Sequence, residues 1–265
     1  MELSGFSEFE FASDGYRHKV YKKGNGSRPG VLIIQELPGI LPQTIDFANR
    51  LHADGYTVYM PHLFGAINVK GGEPFKNLAK LCVSFEFRLL ATQRKSPITD
   101  WLRALAASMQ AETGGPVAAI GMCFTGSFAL ALMVDETIAA PVLCQPAHID
   151  GLVTKEQRAT VGVTDEQMAL AAKRSQKDNV PVMGFRFTHD WSCPKARFDY
   201  LHDLFGERFR RFEIDSSLFN KHNIPLKAHS VFTGDYVNEP GHPTRAAYEE
   251  LLSFLKERLG KPITA

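Results

Sequence analysis

Apolar positions change their period several times along this chain, and each change marks a boundary between predicted elements. Phe6 to Phe11 and Lys19 to Lys22 alternate in the manner of a hairpin, and Gly24-Asn25-Gly26 follows as a turn. Gly30-Val31-Leu32-Ile33-Ile34-Gln35 is apolar without alternation, as expected of a strand buried on both faces. Leu37-Pro38-Gly39 breaks it. Ile45, Phe47, Ala48 and Leu51 then recur at helical spacing up to Gly55, and Thr57 to Met60 predicts a strand stopped by Pro61.

The cycle repeats downstream. Lys76 to Leu90 and Ile98 to Met109 predict helices on either side of Pro97. Val117 to Met122 predicts a short strand after Gly114-Gly115-Pro116, and Phe124 to Val134 a buried helix. Ala140 to Cys144, Val180 to Phe187 and Arg211 to Asp215 predict further strands, and Thr244 to Leu259, behind Pro243, an amphipathic closing helix. Strands alternating with helices imply an α/β fold with a mainly parallel central sheet and helices on both faces. Ile149 to Asn179 departs from this rhythm: it is polar and helix-prone, with Thr164-Asp165-Glu166-Gln167 as a helix start. It predicts either a small helical cap or a plain surface helix. No stretch rich in Pro, Gly or Ser divides the chain, so residues 1–265 predict a single domain.

Charge removes several function classes. The 30 Lys and Arg nearly cancel the 29 Asp and Glu, so no broad field is built for nucleic acid or an anionic membrane. No apolar run approaches the ~18 residues of a membrane span. Met1-Glu2-Leu3-Ser4-Gly5-Phe6 carries an acid where a secretory leader needs a basic start. The four cysteines, Cys82, Cys123, Cys144 and Cys193, form no CxxC pair, which argues against a disulfide framework or a structural zinc site. Free thiols in a reducing cytoplasm are the expectation.

One cysteine stands apart by position. Ala118-Ala119-Ile120-Gly121-Met122-Cys123-Phe124-Thr125-Gly126-Ser127 places a thiol where a predicted strand meets a predicted helix, with Gly121 before it and Gly126 after. A nucleophile elbow needs small neighbours because its turn is tight and strained. The start of a helix also supplies N–H groups and a positive dipole end, which favour a thiolate and an oxyanion. An isolated Gly-x-Cys is more often a buried cysteine; the strand, elbow and helix in succession reverse that preference. A thiol nucleophile also needs a base, and the base an orienting acid. In α/β-hydrolases the acid and then the histidine follow the nucleophile, each after a later strand. Asp190 lies just past the strand ending at Phe187, and His229 lies between the last strand and the closing helix.

With these motifs in place the chain resembles the dienelactone hydrolase family over nearly its whole length. The elbow Gly121-Met122-Cys123-Phe124-Thr125-Gly126 is similar to the family's Gly-x-Cys-x-Gly-Gly, and Gln35-Glu36-Leu37-Pro38-Gly39 to its glutamate-bearing loop after the third strand. Asp190 and His229-Ser230 match its acid and base segments. The resemblance implies an α/β-hydrolase fold, no metal or organic cofactor, and a small-molecule ester or lactone substrate, carboxylate-bearing in the namesake. It also implies that Glu36 contacts Cys123; a carboxylate beside a thiol opposes thiolate formation, so substrate would have to displace it. Two departures stand out. Thr125 replaces a glycine, which either loosens the elbow or presents a hydroxyl to the site. The segments Phe219 to Lys227 and Ile149 to Asn179 also differ from the namesake's.

Each position of the triad has rivals. His242, in Pro240-Gly241-His242-Pro243, competes as the base, but it adjoins the closing helix and ranks behind His229. His189 diverges from its neighbour Asp190, and Asp199 falls within a predicted helix. Glu36 has a plain alternative as a solvated loop acid. Arg88, Arg186 and Arg197 are candidates to meet a substrate carboxylate through paired hydrogen bonds, although each alone is more often structural. Phe124, Phe187 and Trp191 are candidates for an apolar wall, with core packing favoured for Phe187. The predicted enzyme uses Cys123, His229 and Asp190 as a triad, an acyl-thioester intermediate, and the N–H groups of Phe124 and Leu37 as oxyanion donors. A thioesterase or acyl transferase on the same site is the alternative within enzymology. A non-catalytic binder or redox sensor using Cys123 is the alternative outside it. The sequence leaves the oligomeric state open.

Overall fold

A computed structural model describes residues 3–67, 97–147 and 154–260. The main sheet has eight strands: β1 (Ser7–Ser13), β2 (Tyr16–Lys23), β3 (Gly30–Ile34), β4 (Thr57–His62), β5 (Val117–Met122), β6 (Ile138–Cys144), β7 (Val182–Phe187) and β8 (Phe209–Ile214). Their spatial order is β1-β2-β4-β3-β5-β6-β7-β8. β1 with β2 and β2 with β4 are antiparallel; every pairing from β4 through β8 is parallel. The described helices are α1 (Pro42–Ala53), α2 (Pro97–Thr113), α3 (Phe128–Leu132), α4 (Lys155–Ala159), α5 (Asp165–Lys177), α6 (Lys195–Phe205) and α7 (Pro243–Leu259). This is the α/β-hydrolase architecture expected from the alternating pattern.

The unbroken apolar runs find their cause in the two cores. Successive strand side chains point to opposite faces. Leu32 and Ile34 therefore join one core with Trp101 and Leu105 of α2, whereas Val31 and Ile33 join a second with Phe47 of α1 and Leu251 and Phe254 of α7. Both faces are covered, so the strands in the middle of the sheet are almost wholly apolar.

Several boundaries differ from the sequence expectation. The first hairpin is as expected and turns at Asp14 and Gly15, both at positive φ, with Gly24-Asn25-Gly26 following it; the differences lie further on. β4 runs through Pro61 because β3 pairs with it only through Tyr59, so a missing N–H further along costs nothing on that side. The predicted helix from Phe124 to Val134 is instead a 3-10 turn at Cys123–Thr125 followed by the five-residue α3. The helix predicted around Asp199 is α6. In the 149–179 stretch, α5 starts on a Thr164 side-chain cap to Gln167 and buries Met168, Ala171 and Ser175, with Val161 and Val163 buried beside it. The predicted helix from Lys76 to Leu90, with Cys82 and Arg88, lies outside the described residues. Among the described residues no helix is long and apolar enough to cross a membrane.

The topology places the site. β3 is flanked by β4 on one side and β5 on the other, so the winding direction reverses at β3. In open α/β sheets the crevice beyond the carboxyl ends of strands at such a switch point is where ligands bind. Glu36 follows β3 and Cys123 follows β5.

Candidate active site

Cys123 adopts φ 53, a left-handed conformation that a non-glycine residue holds only when its surroundings enforce it. The enforcement is visible. A Cβ on Gly121 would lie 2.2 Å from the Thr125 carbonyl oxygen, and one on Gly126 would lie 2.5 Å from Pro146 Cα. Only glycine fits at either place. The Cys123 carbonyl accepts from Gly126 N–H at 2.9 Å and Ala147 N–H at 2.8 Å, fixing the turn against the loop after β6.

Thr125 tightens this elbow. Its buried hydroxyl lies 2.9 Å from the Ile34 carbonyl, 3.0 Å from those of Gln35 and Met122, and accepts from Met122 N–H at 3.1 Å. It staples the nucleophile turn to the end of β3. The hydroxyl faces backbone and not the reaction site, which corrects both alternatives raised by the missing glycine.

His229 Nδ1 lies 2.6 Å from Asp190 Oδ2. Asp190 is buried, and its Oδ1 accepts from Ser192 N–H at 2.9 Å, Ser192 Oγ at 2.7 Å and Cys193 N–H at 3.2 Å. Asp235 Oδ2 in turn accepts the N–H groups of His229 at 2.8 Å and Ser230 at 2.9 Å, which closes the histidine loop. Burial works against a charged His229 imidazole. Hydrogen bonds to Asp190 and Cys123, with their charges, outweigh it and lift its pKa well above 6.5. Burial likewise opposes the Asp190 carboxylate, but the His229 and Ser192 contacts prevail and hold it below 3.8.

Glu36 completes the cluster. One ligand atom from each of Glu36, Cys123 and His229 lies within 4.8 Å of the other two. Glu36 is 5% exposed, so the reading of a solvated loop acid is corrected. Its carboxylate accepts from Ser230 Oγ at 2.9 Å, from Thr233 Oγ1, and from Gln145 Nε2 at 3.4 Å. Gln35 anchors the loop from behind, bonding the Phe64 carbonyl at 2.7 Å and Leu63 N–H at 3.1 Å.

The remaining candidates separate. Leu37 and Phe124 pack at the rim of the first core, and the Phe124 ring meets Phe64 and Phe128 at 6.4 and 6.3 Å. Trp191 is 73% exposed, beside Asp190. Arg186 does not face a substrate. Its guanidinium is buried and bonded to the carbonyls of Cys193 at 2.9 Å and Thr188 at 2.8 Å and to Glu213, clamping the acid loop from beneath. Arg197 is equally enclosed, tying the carbonyls of Thr160, Pro146 and Ser192 together. Both corrections have one cause: a buried guanidinium takes the acceptors packed around it, two carbonyls and Glu213 for Arg186 and three carbonyls for Arg197. His242 accepts from Thr244 N–H as the N-cap of α7, Asp199 pairs with Lys195 and Arg211, His189 is exposed against Thr188, and Phe187 is core. Arg88 lies outside the described residues.

Gln145, Ser192, Thr233 and Asp235 escaped the sequence reading. Ser192, two residues after Asp190, carried a signal, since an Asp accepting from the N–H two positions on is a common turn. Gln145 carried a weaker one, being the first polar residue after an apolar strand at the carboxyl edge. Thr233 and Asp235 carried none.

The model of the dienelactone hydrolase family matches residues 17–216. No curated protein matches the chain. Among solved structures, a protein described as a dienelactone hydrolase from Klebsiella pneumoniae subsp. pneumoniae is 16% identical with a TM-score of 0.61, over 95% of this chain and 99% of that one. A cold-adapted esterase from an Arctic intertidal metagenomic library is 14% identical with a TM-score of 0.60, over 98% and 97%. A dienelactone hydrolase-like promiscuous phosphotriesterase from metagenomic libraries is 13% identical with a TM-score of 0.59, over 97% and 100%. At these identities the structures speak for the fold alone; the family match, spanning the sheet from β2 to β8 and the elbow within it, goes further. The chain belongs to the dienelactone hydrolase family and is a carboxylic ester hydrolase.

Proposed function

We propose that the protein cleaves a small carboxylic ester or lactone through Cys123, His229 and Asp190, by way of an acyl-thioester. The observation that carries this reading is the strained φ of Cys123 together with the 4.8 Å cluster it shares with His229 and Glu36. With Nδ1 of His229 turned to Asp190, its Nε2 remains for the thiol. The Cys123 proton passes to Nε2, and the sulfur attacks the acyl carbon. Negative charge on the carbonyl oxygen meets the N–H groups of Phe124 and Leu37. Collapse breaks the carbon–oxygen bond, and the departing alkoxide takes the proton from His229. Water then gives a proton to His229 and adds to the thioester, releasing the carboxylic acid and restoring the thiol.

Glu36 is read as the restraint on this nucleophile. Ser230 follows the base directly and holds the Glu36 carboxylate. A substrate that draws Glu36 away frees the sulfur to attack.

The test is an ester and lactone panel run on the protein and on Cys123→Ser. Turnover in the wild type with an acyl group trapped on Cys123 after acid quench supports the reading. Turnover undiminished by the substitution overturns it. Oxidation-dependent change at Cys123 with no turnover on any ester would favour a redox sensor.

A further inference from the structure

We propose that Glu36, Cys123 and His229 also form a binding site for a thiophilic divalent cation such as Zn2+, and that its occupancy reversibly shuts off hydrolysis. The binding rests on geometry alone; only the inhibition rests on the hydrolase reading above.

The three ligand atoms, a sulfur, an imidazole nitrogen and a carboxylate oxygen, already lie within 4.8 Å of one another. A tetrahedral zinc with bonds of about 2.0–2.3 Å holds its ligands roughly 3.3–3.8 Å apart. Side-chain adjustments of about 1 Å therefore close the site. The donor set is selective. Thiolate and imidazole suit zinc, cobalt and cadmium, whereas magnesium and calcium need oxygen ligands throughout. Three protein ligands leave a fourth position for water, the pattern of an open zinc site.

The surrounding residues support the ligands independently. Asp190 holds His229 Nδ1 at 2.6 Å, which leaves Nε2 for the metal, in the carboxylate–histidine–metal arrangement that raises ligand basicity. Ser230, Thr233 and Gln145 orient the Glu36 carboxylate. Each carboxylate oxygen accepts more than one bond, so these contacts leave room for coordination. On binding, the Cys123 thiol proton is released to solvent, and any proton on His229 Nε2 leaves with it; no electron is transferred. The sulfur pair needed for attack and the nitrogen pair needed for proton transfer are then both occupied.

Cobalt(II) titration of the intact protein is the direct test. One equivalent per chain should give tetrahedral d–d bands in the visible and a thiolate-to-cobalt charge-transfer band in the near ultraviolet, both erased by added Zn2+. Cys123→Ser should lose the charge-transfer band, and Glu36→Gln and His229→Gln should each weaken cobalt binding at least tenfold. Asp190→Asn, which touches no metal, should weaken it about 10–100-fold. Zn2+ should inhibit ester turnover reversibly, and EDTA should restore it to the level of enzyme never exposed to metal. Absence of a charge-transfer band, its persistence in Cys123→Ser, or binding unaffected by both Glu36→Gln and His229→Gln would overturn the proposal. Protein that binds cobalt as described but turns over no ester keeps the metal site and sinks the hydrolase reading; the converse sinks only the metal site.

Discussion

Ser230 Oγ donates to Glu36 Oε2 at 2.9 Å, joining two residues 194 positions apart in the chain. The contact links the loop that carries the candidate base to the loop that carries the acid beside the candidate nucleophile. Gln145 repeats the link from a third loop, with Nε2 on Glu36 and Oε1 accepting from Val231 N–H, each at 3.4 Å. Glu36 and His229 are thus held by one polar network, beside Cys123, at the carboxyl edge of the sheet.

Thiol reactivity should single out Cys123. Burial first, and then Glu36, pushes the Cys144 thiol well above 9, and burial followed by Asp190 pushes Cys193 up to about 12. Both are fully enclosed, whereas Cys123 is partly exposed. Iodoacetamide under native conditions should modify Cys123 before either of them, as mapped by peptide mass spectrometry, with activity falling in step. Equal labelling of Cys193 with activity retained is the contrary result.

Two histidines can be ranked by one assay. His229→Ala should lower kcat on an activated ester by roughly 10³–10⁶-fold, as loss of a triad member does. His242→Ala should keep most activity and cost about 1 kcal/mol at most, since His242 caps α7. The reverse ranking would move the base to His242.

Stability should depend on pH through the His229–Asp190 pair. The raised His229 pKa contributes stability that is fully present below about pH 6.5 and lost as pH rises through its higher folded value. The lowered Asp190 pKa contributes stability present above about pH 3.9 and lost as pH falls through its lower folded value. Urea unfolding of the wild type and Asp190→Asn should therefore differ most between about pH 4 and 6.5. A gap that widens steadily into alkaline solution would contradict the assignment.

The elbow staple can be cut without changing shape. Thr125→Val removes the hydroxyl, and with it the acceptor of Met122 N–H and the donor beside the Ile34 carbonyl, in a buried site. We expect a loss of about 1–3 kcal/mol by urea denaturation and a lower kcat, with Thr125→Ser close to wild type. An unchanged midpoint for Thr125→Val would show that the hydroxyl contacts are incidental.

What the sequence determined by itself was the set of elements and the order of the chemical groups. Strands such as Val31–Ile34 are legible because burial on both faces leaves only apolar residues acceptable, and the elbow is legible because two glycines must flank a strained turn. Chain order also separated Cys123, Asp190 and His229 from most competitors. It could not say which charged groups reach the site, because that depends on where a side chain points after folding. Arg186 and Arg197 are candidates for a substrate carboxylate in the sequence, with a structural role as the alternative, and in the fold their guanidinium groups are taken up inside the core, by carbonyls and, for Arg186, Glu213. The length of the elbow helix was misjudged for a similar reason: residues 124–134 are apolar enough for either a continuous helix or a 3-10 turn with a short helix after it, and packing selects the latter. Only the tertiary structure brought Glu36, Gln145, Ser230 and Thr233 together. Their hydrogen bonds span 109 to 197 residues, and no local pattern records a contact made by loops that meet only because their strands are neighbours in a sheet.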